Sequence, residues 1–351
     1  MYLENKPRRS NQRQGEKEIT MQNQAIDIHH HYVPKRLIEE TKRHGKALRV
    51  DITEDKGSHA LSFAGNKPHR LQPALMEVER RIEIMDEGQV ALATLEANTN
   101  SLGYRLTGEH GETWCKLYND CMHELITQQP DRFAGMATVP LQDAARAAKV
   151  LEHSIIDMEF RGAFIGTNVN GQYYNTKDFD PFWAKAQELD VMIVMHPEHI
   201  AGAERMGAFG LNAVCGNPAD STLSLGYMLY SGLFDRFPDL KLCALHGGGF
   251  LPYHLGRFDK EFVTGQNVRP AQSAKPPSAY LKNLYFDTLV YHVDTLEYLR
   301  SKVGNDRLML GTDYPYTLGD WLGVEKVQAL DCSESDKDAI LQGNARRLLK
   351  L

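Results

Sequence analysis

Residues 25–31 read Ala-Ile-Asp-Ile-His-His-His, an apolar start that runs into three histidines. On a strand, side chains i and i+2 face the same side, so Asp27, His29 and His31 share one face and His30 points the other way. Two imidazoles at that spacing, at the C-terminal end of a strand, can grip one metal ion. His30 is a bystander in this reading. A chance histidine run is the plain alternative, but such a run seldom closes an apolar strand.

Working outward, short β-rich apolar runs recur at 90–96 (VALATLE), 133–139 (FAGMATV), 162–169 (GAFIGTNV), 191–196 (VMIVMH), 240–246 (LKLCALH), 284–290 (LYFDTLV) and 308–313 (LMLGTD). With 25–31 that makes eight. Several are near-continuous in apolar residues, as parallel strands buried on both faces are. Helical patterns lie between them, for example at 75–88, 110–129, 142–160, 178–189 and 218–236, and Asp180-Pro181 marks a helix start. Strand and helix alternating in this way predict an α/β fold, a (β/α)₈ TIM barrel, with a doubly wound open sheet as runner-up. Residues 32–74 are too long for one βα loop. They carry KALRVDIT and HALSFAGN around Asp55-Lys56-Gly57-Ser58, which reads as a hairpin, and so form a small insertion subdomain after strand 1. The tail 334–349 reads as a helix capped by Ser333 or Ser335.

The chain of 351 residues has 42% hydrophobic and 25% charged residues and a formal net charge of −6. It can bury a large core, and it has no basic footprint for DNA or RNA. Its cysteines form no C-x-x-C pair and are odd in number, which fits a reducing cytoplasm. Residues 1–24 are polar and mixed in charge, without the apolar centre of a signal peptide, and read as a flexible extension ahead of a barrel spanning 25–351. No apolar run is long enough to span a membrane.

Three more strand ends carry chemistry. His196 ends VMIVMH, with Pro197 directly after it. His246 ends LKLCALH ahead of Gly247-Gly248-Gly249, and glycines let backbone approach a ligand closely. Asp313 ends LMLGTD, and a carboxylate there needs a partner. The C-terminal ends of the strands are where barrels keep their active sites. Nitrogen and carboxylate ligands without thiolate predict one divalent ion, zinc first, with manganese or iron as alternatives. No glycine-rich phosphate fingerprint occurs, so no organic cofactor is expected.

The order D-I-H-x-H-x-x-P, V-M-H-P, L-H-G-G-G-x-x-P-x-x-x-G-R and L-G-T-D-Y-P resembles the amidohydrolase superfamily, and within it the aminocarboxymuconate-semialdehyde decarboxylase branch. The resemblance covers about residues 25–350 and implies a distorted (β/α)₈ barrel. It implies His29, His31, His196 and Asp313 as metal ligands and His246 as a catalytic histidine, with Asp313 sharing in proton transfer. It implies Arg257 as an anchor for a substrate carboxylate, reaching across a homodimer interface, and an arginine from the insertion, for which Arg70 is the nearest match, with His69 competing for the place. The chain also departs from the type enzyme. Pro197 is followed by Glu198, where the type enzyme has an aromatic residue, and the loop after strand 2, Ala97-Asn98-Thr99-Asn100-Ser101, is polar. Glu198 is therefore a candidate contact for a donor or cation on the substrate, and the substrate differs from aminocarboxymuconate semialdehyde. These readings converge on a metal-dependent decarboxylase of a small carboxylated aromatic or muconate-like acid. A hydrolase or hydratase with the same ligands is the rival within enzymes, and a scaffold that merely kept the barrel is the rival outside them.

Overall fold

A computed structural model describes residues 25–55, 57–265 and 271–351. The expected extension, residues 1–24, lies outside the described residues. The barrel staves are β1 (Ala25–Asp27) with β2 (His31–Tyr32), then β6 (Val90–Ala97), β7 (Phe133–Thr138), β8 (Gly162–Gly166), β9 (Met192–His196), β10 (Lys241–Ala244), β11 (Leu284–Asp287) and β12 (Leu308–Met309). They pair in parallel and in sequence order from β1 to β12, with β2 also on β6. Each expected strand is present, and the runner-up open sheet is excluded by the seam. Ile28 N–H donates to Leu310 O at 2.9 Å, Asp313 N–H to His29 O at 2.9 Å and His31 N–H to Tyr314 O at 2.8 Å, which closes the last stave onto the first. The fold is a (β/α)₈ barrel.

The first stave departs from simple alternation. Asp27 pairs with Ala93 and His31 with Glu96. From 27 to 31 is four steps and from 93 to 96 is three, so the strand carries one extra residue against β6. That bulge rotates the side chains between the two halves. Asp27 therefore does not join His29 and His31 in one row. Its carboxylate turns to the His30 ring at 2.8 Å, accepts from His29 N–H at 3.0 Å and ties down Thr312. His30 is no free bystander either, since it is buried, bonded to Asp27 and stacked on Tyr314.

The outer layer follows from capping and periodicity. Helices α2 (Val78–Glu87), α3 (Gly108–Gln128), α4 (Ala144–Ile156), α5 (Asp180–Glu188), α6 (Asn217–Tyr230), α7 (Leu233–Arg236), α8 (Leu251–Thr264) and α9 (Val293–Val303) connect the staves. Thr107 caps α3 through His110 N–H, and Asp143 caps α4 through Arg146 N–H, each satisfying an N–H that the helix leaves open. Pro181 and Pro218 stand in the first turns of α5 and α6, where a missing N–H costs nothing. In the C-terminal run, Ser333 rather than Ser335 is the cap, accepting from Asp336 N–H at 3.1 Å.

The segment after the first stave holds α1 (Lys35–Leu48) and a three-stranded antiparallel sheet of β3 (Val50–Asp55), β4 (Ser58–Phe63) and β5 (His69–Arg70). The expected hairpin is β3–β4, with Val50 opposite Phe63 and Asp55 opposite Ser58. Among the described residues no helix is long and apolar enough to cross a membrane.

Candidate metal centre and active site

Four strand-end side chains meet in the barrel mouth. One ligand atom from each of His29, His31, His196 and Asp313 lies within 4.8 Å of the others, and all four residues are buried. The partners behind the rings decide what faces inward. His29 Nδ1 lies 2.9 Å from Asp287 Oδ2, His31 Nδ1 lies 3.0 Å from Ala97 O, and His196 Nδ1 lies 2.8 Å from Pro197 O. Carbonyls and carboxylates only accept, so each Nδ1 carries the proton and each Nε2 offers a lone pair. His29 Nε2 and His31 Nε2 stand 3.2 and 3.1 Å from Asp313 Oδ1, and all three atoms are buried without a hydrogen-bond partner. Lone pairs converging on a carboxylate oxygen in a dry site repel one another unless a cation sits among them. The donor set therefore fits a divalent ion.

The electrostatics agree. Burial works against charge on His29, but the carboxylates of Asp313 and Asp287 on its two sides overcome it and raise its pKa well above the usual range: the site calls for positive charge, which the ring itself supplies until an ion takes that place and frees Nε2. Burial and the neighbouring imidazoles hold His196 far below its usual value, so it stays neutral and free to ligate. Burial would raise the Asp313 carboxyl, yet His29, His246 and His31 together hold it well below the carboxylate range.

His246 stands beside this group. Its ring lies 4.8 Å from that of His196, and Nε2 lies 3.7 Å from Asp313 Oδ2. The residue is not on the strand itself. β10 ends at Ala244, and His246 opens a turn in the left-handed region, at φ 56°, as does Asp313 at φ 60°. Non-glycine residues pay for that conformation, and such strain clusters at functional sites. The three glycines that follow have positive φ as well, and they pack closely against protein neighbours. A Cβ on Gly248 would come 2.5 Å from Phe286, and one on Gly249 2.2 Å from Pro218 O. The run lets the turn lie flat on the barrel wall.

Sequence reasoning misses Asp287, at the end of β11. It is fully buried, and besides orienting His29 it accepts from Gly247 N–H at 2.7 Å. One carboxylate thus anchors both a ligand ring and the turn that carries His246. An acid inside the apolar run LYFDTLV is the signal that could have found it. Gly311 serves the same pair: a Cβ there would come 2.8 Å from Asp287 Cβ and 3.0 Å from His29 Cβ.

A cavity of about 1100 Å³ opens over His196 and Asp313. Glu198 lines it, and burial pushes its carboxyl up to about 7 against the pull of Arg105. Arg70 does not line it. It is exposed on β5 and donates to Ser58 Oγ at 2.9 Å, because alternation on this short strand turns it away while its neighbour His69 turns inward. Lys67 and His69 are the side chains that the insertion presents to the cavity; Lys67 is the cation, while burial and the charges of Arg105 and Lys67 hold the His69 pKa below its usual value. Arg257 also lies outside its own chain's cavity, exposed on α8.

A family model described as amidohydrolase matches residues 26–351. The chain belongs to the amidohydrolase family. This amidohydrolase is 26% identical over 328 residues to a 2-amino-3-carboxymuconate-6-semialdehyde decarboxylase of Dictyostelium discoideum, covering 93% of this chain and 91% of that one. It is 28% identical over 318 residues to a gamma-resorcylate decarboxylase of Polaromonas sp. strain JS666, covering 85% and 96%. Its fold superposes with a TM-score of 0.77, at 23% identity, on the crystal structure of a dihydroxybenzoic acid decarboxylase from Polaromonas sp. JS666 with bound manganese and the inhibitor 2-nitroresorcinol, covering 94% and 97%.

Proposed function

We propose that this amidohydrolase is a metal-dependent decarboxylase, a carbon–carbon lyase acting on a carboxylated aromatic or muconate-like acid. The observation that carries the reading is the convergence of three oriented Nε2 atoms and Asp313 Oδ1, with His246 alongside, at the edge of the cavity. His29, His31, His196 and Asp313 would hold one divalent ion. Three imidazoles and a carboxylate suit zinc, our first choice, and the manganese in the similar Polaromonas structure makes manganese the alternative that metal analysis decides. Bound there, the ion acts as a Lewis acid towards substrate oxygen.

The chain supplies the rest. Lys67 and His69 face the cavity from the insertion; Lys67 attracts an anionic substrate, and His69 offers it a hydrogen bond. His246, or Asp313 once protonated, delivers a proton to the carbon that bears the carboxylate. The carbon–carbon bond then breaks, CO₂ leaves, and its electron pair restores the unsaturated system. The exposed position of Arg257 supports a homodimer in which this arginine enters the neighbouring chain's cavity, where a guanidinium can hold a carboxylate with paired hydrogen bonds. The test is metal analysis of the purified protein followed by CO₂ release from carboxylated aromatic and muconate-like acids. Turnover that adds water and releases no CO₂ would move the reading to the hydratase or hydrolase class, and neither metal nor turnover would leave only a scaffold.

A further inference from the structure

Glu198 presents its carboxyl group to the cavity, where the charge of Arg105 acts on it. Its main chain is pinned: its N–H donates to Thr167 Oγ1 at 3.2 Å, and its carbonyl accepts from Asn168 Nδ2 at 2.6 Å. Buried Asp220 holds that arrangement together, accepting from Asn168 Nδ2 at 3.0 Å, from Tyr173 OH at 2.6 Å and from Ala201 N–H at 3.0 Å. Gly166 lies directly beneath, where even a Cβ would come 3.1 Å from Glu198 Cβ. The main chain and Cβ are thus fixed on the cavity wall, and among the described residues the carboxyl group shows no hydrogen bond or ion pair, only the longer-range pull of Arg105.

In an open cavity water can solvate such a group. A substrate that fills the cavity strips that water away, and the carboxylate is then left unpaired unless the substrate brings a donor. A site of this kind discriminates strongly, because the analogue lacking the donor leaves a polar group stranded. When ionised, the same group repels a substrate carboxylate, which directs that end of the substrate elsewhere. Resting on the decarboxylase reading above, we infer that Glu198 selects carboxylic acids that carry a ring or chain O–H or N–H donor, and rejects the same skeleton with the donor capped.

The test uses metal-loaded full-length protein and calorimetric binding of hydroxy-, amino- and methoxy-substituted benzoates, substituted at every ring position. In the wild type, at one position at least, the hydroxy or amino compound should bind at least about tenfold tighter than its methoxy counterpart. The hydroxy and amino arms tell which donor is taken. In Glu198→Ala the preference should shrink to within about threefold, while Glu198→Gln, whose amide oxygen still accepts, should keep part of it. Metal content and CO₂ release are read on the same samples. Unchanged discrimination in Glu198→Ala, no discrimination in the wild type, or no benzoate binding at all overturns the Glu198 assignment. A wild type without metal, or without CO₂ release from any acid, sinks the decarboxylase reading instead.

Discussion

Replacing Asp287 by Asn tests the architecture of the centre without touching a ligand. The two side chains are nearly the same shape, so packing is kept. Asp287 accepts at both oxygens, from His29 Nδ1–H at 2.9 Å and from Gly247 N–H at 2.7 Å, in a site closed to solvent. An amide can accept at one of those places only. If its oxygen keeps Gly247, its NH₂ faces the Nδ1–H of His29, and two donors oppose each other. His29 must then move its proton to Nε2, which removes the lone pair aimed at the centre, or turn its ring. If the amide flips instead, Gly247 N–H is stranded and the turn bearing His246 loosens. A hydrogen bond to a charged group is worth about 1.5–3 kcal/mol. At about 1.4 kcal/mol per tenfold, that is a loss of roughly 10- to 150-fold in metal affinity, in line with the roughly 10–100-fold usual for a partner behind a metal ligand. The measurement is titration of metal-free protein with zinc and with manganese against a competing chelator, beside a thermal melt to show that the fold persists. A folded variant whose Kd stays within about threefold of wild type for both metals would refute the reasoning.

Other outcomes follow from the same geometry. Gly311→Ala puts a methyl against Asp287 and His29, so both the melting temperature and metal affinity should fall, with overpacking alone costing about 1–3 kcal/mol; wild-type values for both would show that the pair has room to shift. His246→Ala should keep its metal and lose at least about 10²-fold in kcat, since the ring lies beside Asp313 without being one of the four clustered donors, and normal kcat would reduce it to a structural residue. Mixing inactive Arg257→Ala subunits with inactive Asp313→Ala subunits should restore some activity on exchange. Heterodimers that form and stay inactive would count against an arginine supplied by the neighbouring chain.

Much of this protein is local in origin and so legible in one dimension. Apolar runs of strand length, separated by helix-period segments with Ser, Thr, Asp and Pro at their starts, dictate the barrel. Because all eight staves are parallel, a residue at the end of a run must lie at one mouth, which is why residue type and position along the chain suffice to group His29, His31, His196 and Asp313. Tertiary structure decided whatever depends on register or on distant partners. The bulge in the first stave turned Asp27 toward His30, and strand alternation alone cannot show an inserted residue. Asp287 meets His29 across 258 residues of chain, a contact that exists only once the barrel closes. The choice of Lys67 and His69 over Arg70 rests on which face of a short edge strand looks into the cavity. The conformation of His246 and Asp313 rests on turns held from outside, by Asp287 through Gly247 and by the seam with His29. Residue type and spacing settle which atoms can bind a metal, whereas their orientation belongs to partners that are neighbours only in space.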